Sequence, residues 1–247
     1  MILQSSLPYG IAVSKRLPGV SPLEPRDWLH ADDAFGPQMA MREALLAGQR
    51  EAVLGALPDA TEAVDEMLDA VLTHLPSAFT RQDNRVVRPD GVEVVVDRLD
   101  PLDTLGRIVQ EDLCLMQRPE DAPEHILTAA ILCFPARWTL AEKLGRPLMR
   151  IHAPVEHYDD GVGRRVQRLF DGLQPDRPVW RWNRMDTNEP ELFQPMREDE
   201  PRGGPTQADG PPRFIRSERQ VLWRLPQTRA VVFSIHTYVV HRDGLAM

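Results

Sequence analysis

The sequence predicts an α+β fold, and three observations carry that prediction. Residues 84–97 and 214–240 alternate apolar and polar side chains around turn-forming residues, the pattern of antiparallel hairpins. Elsewhere apolar residues recur at helical spacing over long segments. The composition, 42% apolar and 27% charged over 247 residues, is enough to bury a real core. Strands joined by tight turns make an antiparallel sheet, and the helices that precede them are expected to cover one face of it.

Taken in order, residues 1–34 are proline-rich and aperiodic and read as an extended arm, with Trp28 as its apolar anchor. Gly36-Pro37 opens a helix that the sequence ends at Gly48, read as a C′ glycine. A second helix is predicted over Asp59–Leu75, capped by Asp59 and facing inward through Val64, Met67, Leu68, Val71 and Leu72. Asn84–Asp97 reads as a hairpin turning at Pro89-Asp90-Gly91. Leu102–Met116 reads as a helix whose stripe holds Leu102, Leu105, Val109, Leu113 and Met116. That helix would carry Asp112 inside the stripe and point Glu111 away from it. Ile126–Phe134 suits a buried strand ended by Pro135.

Val155–Leu173 has the strongest helical face, through Val155, Tyr158, Val162, Val166, Leu169, Phe170 and Leu173, with Arg164, Arg168 and His157 on the solvent side. A strand follows at Val179–Arg184. Glu189–Pro212 then contains six prolines and no apolar period, so it reads as a flap. The chain closes on a hairpin, Phe214–Leu225 and Ala230–Val240. No boundary separates two cores, which leaves an arm at 1–34 and one domain at 35–247.

Composition narrows the function. A net charge of −8 and a pI near 5.4 give no basic footprint for nucleic acid and disfavour anionic membranes. Cys114 and Cys133 sit in apolar runs without metal-ligand spacing and read as buried hydrophobes. There is no membrane-length apolar stretch, and the first residues lack a basic region followed by an apolar one, so a cytoplasmic location is expected. No nucleophile elbow, phosphate loop, dinucleotide fingerprint or HExxH is present.

The remaining candidates are individual side chains. His152, two residues before Pro154, sits on a stiff segment beside packed surface, a setting that suits an axial haem ligand. The competing reading is a buried histidine bonded to backbone. Glu218 shares a strand face with Arg216, Gln220, Leu222 and Arg224, while Ser217, Arg219, Val221, Trp223 and Leu225 take the other. That row is either a solvated sheet face or a polar wall holding a carboxylate near a substrate and arginines near haem propionates. His236 shares a face with Ser234 and Tyr238 and is a second pocket candidate, or a cross-strand partner. Asp112, inside an apolar stripe, needs a salt bridge or a capping role.

Several ordered segments together resemble one family. They are Trp28-Leu29-His30-Ala31-Asp32, Gln110-Glu111-Asp112-Leu113, Cys133–Trp138 with Lys143–Leu148, Ile151-His152-Ala153-Pro154-Val155, Arg181-Trp182-Asn183, Arg216–Gln220, and Leu225-Pro226 with Phe233–Tyr238. Over residues 8–240 the chain is similar to the α-subunit-like family of haem-dependent oxidative N-demethylases. The resemblance implies a PAS-like twisted antiparallel sheet with haem b between sheet and helices. It implies O₂-dependent oxidation of a small secondary amine such as dimethylamine, release of formaldehyde, and electrons from a separate reductase. By carry-over His152 is the proximal iron ligand and Glu218 the distal catalytic residue. Arg216, Arg219, Arg224 and His236 are the further cofactor-binding candidates. Two departures stand out: Glu156 replaces a usual proline, and Trp182-Asn183 reverses the usual order. A haem sensor without turnover and a cofactor-free interaction module are the alternatives to an enzyme.

Overall fold

The computed structural model describes residues 1–10, 19–153, 159–201 and 210–244. Its helices are α1 (Phe35–Gly48), α2 (Arg50–Val53), α3 (Thr61–Thr73), α4 (Pro101–Ile108), α5 (Leu140–Lys143), α6 (Leu148–His152) and α7 (Asp160–Gly172). The first strands are β1 (Ser21–Pro22), β2 (Leu54–Ala56), β3 (Thr80–Gln82), β4 (Arg85–Val87), β5 (Glu93–Val95) and β6 (Asp112–Gln117). They are followed by β7 (Ile126–Ile131), β8 (Val179–Trp182), β9 (Met185–Thr187), β10 (Phe214–Arg224) and β11 (Val231–His241). Among the described residues, the main sheet runs β1-β8-β10-β11-β6-β7-β2, with β9 beside β10, and its ladders are antiparallel. The fold is therefore mixed helix and antiparallel sheet, as the alternation predicts.

The terminal hairpin sets the frame. β10 and β11 pair along their whole length, with Glu218 opposite Thr237 and Arg219 opposite His236. Because side chains alternate along a strand, this register assigns every residue in the middle of the sheet to one face or the other. On the first face Val221, Trp223 and Val232 pack with Leu113, Leu115, Ala129 and Ile131 under α1, α3 and α4. On the second, Leu222 and Val231 pack with Cys114, Met116 and Ala130 under α5, α6 and α7. Helices thus cover both faces, not one. This is why β6 and β7 are apolar almost throughout.

The same double burial explains where the sequence misleads. The helix predicted over Leu102–Met116 stops at Ile108, and Val109 turns extended with ψ 155°. Asp112–Gln117 is strand β6, buried on both sides. A short continuous apolar run carries no period, so it fits a helical stripe and a doubly buried strand equally well. Glu111, predicted to point outward, is buried beside Asp112. Asp59 lies in a 3₁₀ turn, and α3 starts at Thr61 without a side-chain cap, although its inward face is the predicted one. Gly48 is the last residue of α1, and Gln49 leaves the helix at φ −139°.

The 84–97 hairpin forms as β4 and β5 around Gly91, whose φ of +82° a side chain would resist, and β3 adds a third strand. α7 begins at Asp160, capped by the Asp159 carboxylate on the Val162 amide; Val155, Glu156, His157 and Tyr158 lie outside the described residues. Residues 189–201 of the segment read as a flap, Glu189–Pro212, form a loop that is anchored in the core at Leu192. Leu192 is 2% exposed in the first core, and its carbonyl and that of Glu191 accept hydrogen bonds from Arg216. Leu192 and Phe193 are two apolar residues in a row, too few to register as a period. Residues 202–209 lie outside the described part.

Candidate functional site

The second sheet face carries a polar ladder. The β8–β10 register puts Arg181 opposite Gln220, so Arg181, Gln220, Glu218 and Arg216 share that face. Asn183, just past β8, clamps Glu218 in three ways. Its Nδ2 donates to Glu218 Oε2 at 2.8 Å, its Oδ1 accepts the Glu218 amide at 2.8 Å, and its own amide donates to the Glu218 carbonyl at 3.1 Å. Gln220 Nε2 donates to the same carboxylate oxygen at 2.9 Å, and Gln220 Oε1 accepts from Arg181 Nη1 at 2.6 Å. Glu218 is 8% exposed and Arg216 1%, so this is no solvated sheet face. Two buried polar atoms without a hydrogen-bond partner among the described residues, Arg216 Nε and Thr237 Oγ1, belong to it as well.

Helix α6 brings His152 over this face, for Leu148 and Ile151 pack in the same apolar cluster as Cys114, Met116 and Leu222. His152 Nδ1 lies 2.9 Å from the Leu148 carbonyl oxygen, which can only accept, so Nδ1 carries the proton. In the neutral ring the lone pair is then on Nε2, the arrangement of a metal-ligating histidine. Burial pushes the His152 pKa down, against the pull of the Leu148 bond, and the nearby Lys143 and Arg181 charges push the same way as burial. The half-buried imidazole is neutral at neutral pH.

α6 is itself fixed at several points. Lys143 Nζ donates to the Ile151 carbonyl at 2.7 Å and to Glu198 at 2.5 Å, and Arg150 grips the same carboxylate at 2.7 Å. A side chain at Gly163 of α7 would collide with Met149 Sδ, so the two helices touch where that residue has none.

The other candidates are distributed differently. Arg216 spends its terminal nitrogens on the carbonyls of Phe134, Glu191 and Leu192. Arg224, at the other end of β10, bonds the carbonyls of Phe170, Leu173 and Arg229. It also lines a separate open cleft of about 770 Å³ with Arg118, His125 and Arg229. Arg219 and His236 lie on the first face, away from His152 and Glu218, because β10 and β11 alternate. Arg219 bonds the carbonyls of Asp27 and Trp28 there. Asp112 meets both needs noted in the sequence. It pairs with fully buried Arg42 at 2.6 Å and accepts the amides of Cys133 and Phe134 at 2.7 and 2.8 Å, capping the chain as it leaves β7. Cys114 and Cys133 are buried free thiols whose pKa values burial raises, that of Cys133 to about 12.

His236 is the centre of a second polar network. Its Nδ1 is 2.9 Å from Glu111 and its Nε2 3.0 Å from Asp32, with the ring fully buried. Burial alone would lower its pKa, but the charge of Glu111 and the hydrogen bonds that the ring donates to Asp32 and Glu111 outweigh that and raise it to about 9. Burial would raise Asp32, yet the bond and charge of His236, with Gln110 and Gln4, bring it down to about 2. Gln4 Nε2 reaches Asp32 at 2.8 Å, and Gln4 exchanges both hydrogen bonds with Val239, so the network ties residues 4 and 28–34 to β11. It is a clasp for the N-terminal residues rather than a wall of the His152 site.

Sequence reasoning missed Asn183 and Arg181 as site residues, although both stand in the family-like segment Arg181-Trp182-Asn183. Alternation in β8 shows that Arg181 and Trp180 point opposite ways, but which way depends on the β8–β10 register, which is tertiary.

With this geometry in place, a comparison with protein families is decisive. The profile of the family described as haem-dependent oxidative N-demethylase, alpha subunit-like, matches residues 19–246. The chain belongs to this family. The family's description indicates haem dependence, and its α-subunit-like designation implies a partner subunit. The second face fits such a group. Among the described residues it offers an imidazole protonated on Nδ1, a buried carboxylate held by two amides, a guanidinium bonded to a neutral amide oxygen and making no ion pair, and two buried polar atoms without a hydrogen-bond partner. Among the described residues no cluster of three or more His, Cys, Asp or Glu side chains forms a metal cage; a haem iron needs a single protein ligand on one side. No described helix is long and apolar enough to cross a membrane.

Proposed function

We propose that this chain is the haem-bearing subunit of an oxidative N-demethylase acting on a small secondary amine of the dimethylamine type. The observation that supports it best is the tautomer of His152, a neutral imidazole fixed by the Leu148 carbonyl over the face that carries Glu218. In this reading His152 would hold the iron of haem b through Nε2. Residues 35–247 form one PAS-like haem-binding domain with 1–34 laid over it. The neighbour order β7-β6-β11-β10-β8 supports a PAS-like sheet, since in chain order these five strands stand second, first, fifth, fourth and third. When bound, the haem supplies oxidation of an N-methyl carbon by O₂, with two electrons and two protons from a separate reductase yielding one water alongside formaldehyde and the demethylated amine.

The protein's own part is positional and electrostatic. Asn183 and Gln220 each aim an amide donor at Glu218 Oε2, which fixes the direction of the side chain. A fixed carboxylate in a water-poor site attracts an alkylammonium ion and can take the proton that the amine must lose before its nitrogen lone pair is available. Packing of α5, α6 and α7 on this face excludes water and strengthens that attraction.

The test is reconstitution of the purified chain with haem. A stoichiometric Soret band should appear, and with an electron donor the protein should consume O₂ in an amine-dependent way, releasing formaldehyde. His152→Ala should stay folded and lose the band. Unaltered histidine ligation in that variant would remove His152 from the proposal; haem binding without amine-dependent turnover in the native chain would favour a sensor.

A further inference from the structure

Three of the arginines that the sequence offers for haem carboxylates are already committed to this chain. Arg216 and Arg224 each bond three backbone carbonyls, and Arg219 bonds two on the far face. Near His152, Lys143 and Arg150 share Glu198. Arg181 is different. It is half-buried on the second face, its Nη1 meets the neutral amide oxygen of Gln220 at 2.6 Å, and among the described residues it makes no ion pair. A guanidinium partly withdrawn from water and not paired with an anion is costly, and an anion arriving with a ligand would relieve that cost.

We propose that Arg181 is the anion-receiving residue of the site, binding a carboxylate of the cofactor through its remaining guanidinium donors. The inference rests on the haem reading above. Its geometry is that of a fork: Gln220 takes one nitrogen and thereby sets the plane of the group, leaving the other donors to meet a carboxylate in the same plane. The same Gln220 donates to Glu218, so one amide separates the cation from the carboxylate. Burial pushes the Arg181 pKa down and the Glu218 charge only partly offsets this, as for a cation short of counter-charge.

The decisive experiment titrates the apo chain, followed by the Soret band, with ferric haem and with haem dimethyl ester, whose carboxylates are blocked. Wild type should bind haem more tightly than the ester. Arg181→Gln should lose roughly 10–100-fold in affinity for haem, the range for a lost hydrogen-bonded charge pair, and change little for the ester. Arg181→Lys should recover part of the loss. An unchanged haem affinity in Arg181→Gln, or an equal loss for both ligands, overturns the assignment. If Arg181→Gln does not fold by circular dichroism, the wild type decides, and equal affinity for haem and ester overturns it. A wild type that binds neither ligand removes the haem reading itself, which separates the two failures.

Discussion

Glu218 shows how a single carboxylate can be made specific by its neighbours. A buried carboxylate without donors is expensive, and here Asn183 and Gln220 supply two to one oxygen. Replacing Glu218 by Gln keeps the shape, removes the charge and turns one acceptor into a donor facing other donors. We expect normal haem content in Glu218→Gln and a fall in amine oxidation of roughly 10²–10⁴-fold, the range for loss of a positioned acid–base group. Steady-state O₂ consumption on haem-replete protein measures it, and full activity would show that the carboxylate only satisfies Asn183. Asn183→Ala should act in the same direction but more weakly, because Gln220 still holds the carboxylate.

At the scale of elements, two interactions decide how the sheet meets its surroundings. Asp112 starts β6 and, through Arg42, ties it to α1, while its carboxylate caps the Cys133 and Phe134 amides. Both partners are withdrawn from water, so removing one leaves the other buried and uncompensated. Asp112→Ala is expected to cost about 3–5 kcal/mol, read by urea unfolding. A cost below about 1 kcal/mol would mean that water or a rearranged Arg42 replaces the pair. The segment after β9 offers a second case. Leu192→Ala should destabilise by about 2–5 kcal/mol, the range for a large apolar side chain removed from a core, although the sequence around it reads as a loop. A change of a few tenths would restore the reading of residues 189–201 as a surface flap.

For the whole molecule the clasp around His236 makes stability depend on pH. His236 has its pKa raised from 6.5 to about 9, so its contribution is complete below pH 6.5 and is lost as pH rises through 9. Asp32 has its pKa lowered from 3.8 to about 2, so its contribution is complete above pH 3.8 and is lost as pH falls through 2. The charges facing His236 are Asp32 from the N-terminal segment and Glu111 ahead of β6; His30 and Arg219 lie nearby, and Tyr238 stacks beside the ring. Because the lowered pKa values of His30 (about 4) and His152 cost stability as pH falls below 6.5, stability should be greatest near pH 6.5 and, through His236, decline from there to about pH 9. In His236→Gln the whole curve should be lower and that decline absent. Urea unfolding at fixed ionic strength checks this, and a wild-type curve flat above pH 6.5 would show that the imidazole is not charged in the folded protein.

The sequence by itself determined whatever depends on a local period. The helical face of α3, the hairpin at Gly91, the terminal hairpin and the alternation of Glu218 with Ser217 all follow from spacing between neighbours in the chain. So does the family, because its ordered segments are spread along nearly the whole chain. What only the tertiary structure decided is whatever depends on cross-strand register and on burial from both sides. Asp112–Gln117 became a strand because helices cover both faces, and a doubly buried strand has no period to read. Glu218 and His236 parted because the β10–β11 register puts Thr237, not His236, opposite Glu218. Arg181 joined Glu218 because β8 pairs with β10 at Gln220, a contact between residues far apart in the chain. A shift of one residue in either ladder would exchange the faces and scatter the site, and nothing within a single strand specifies that choice.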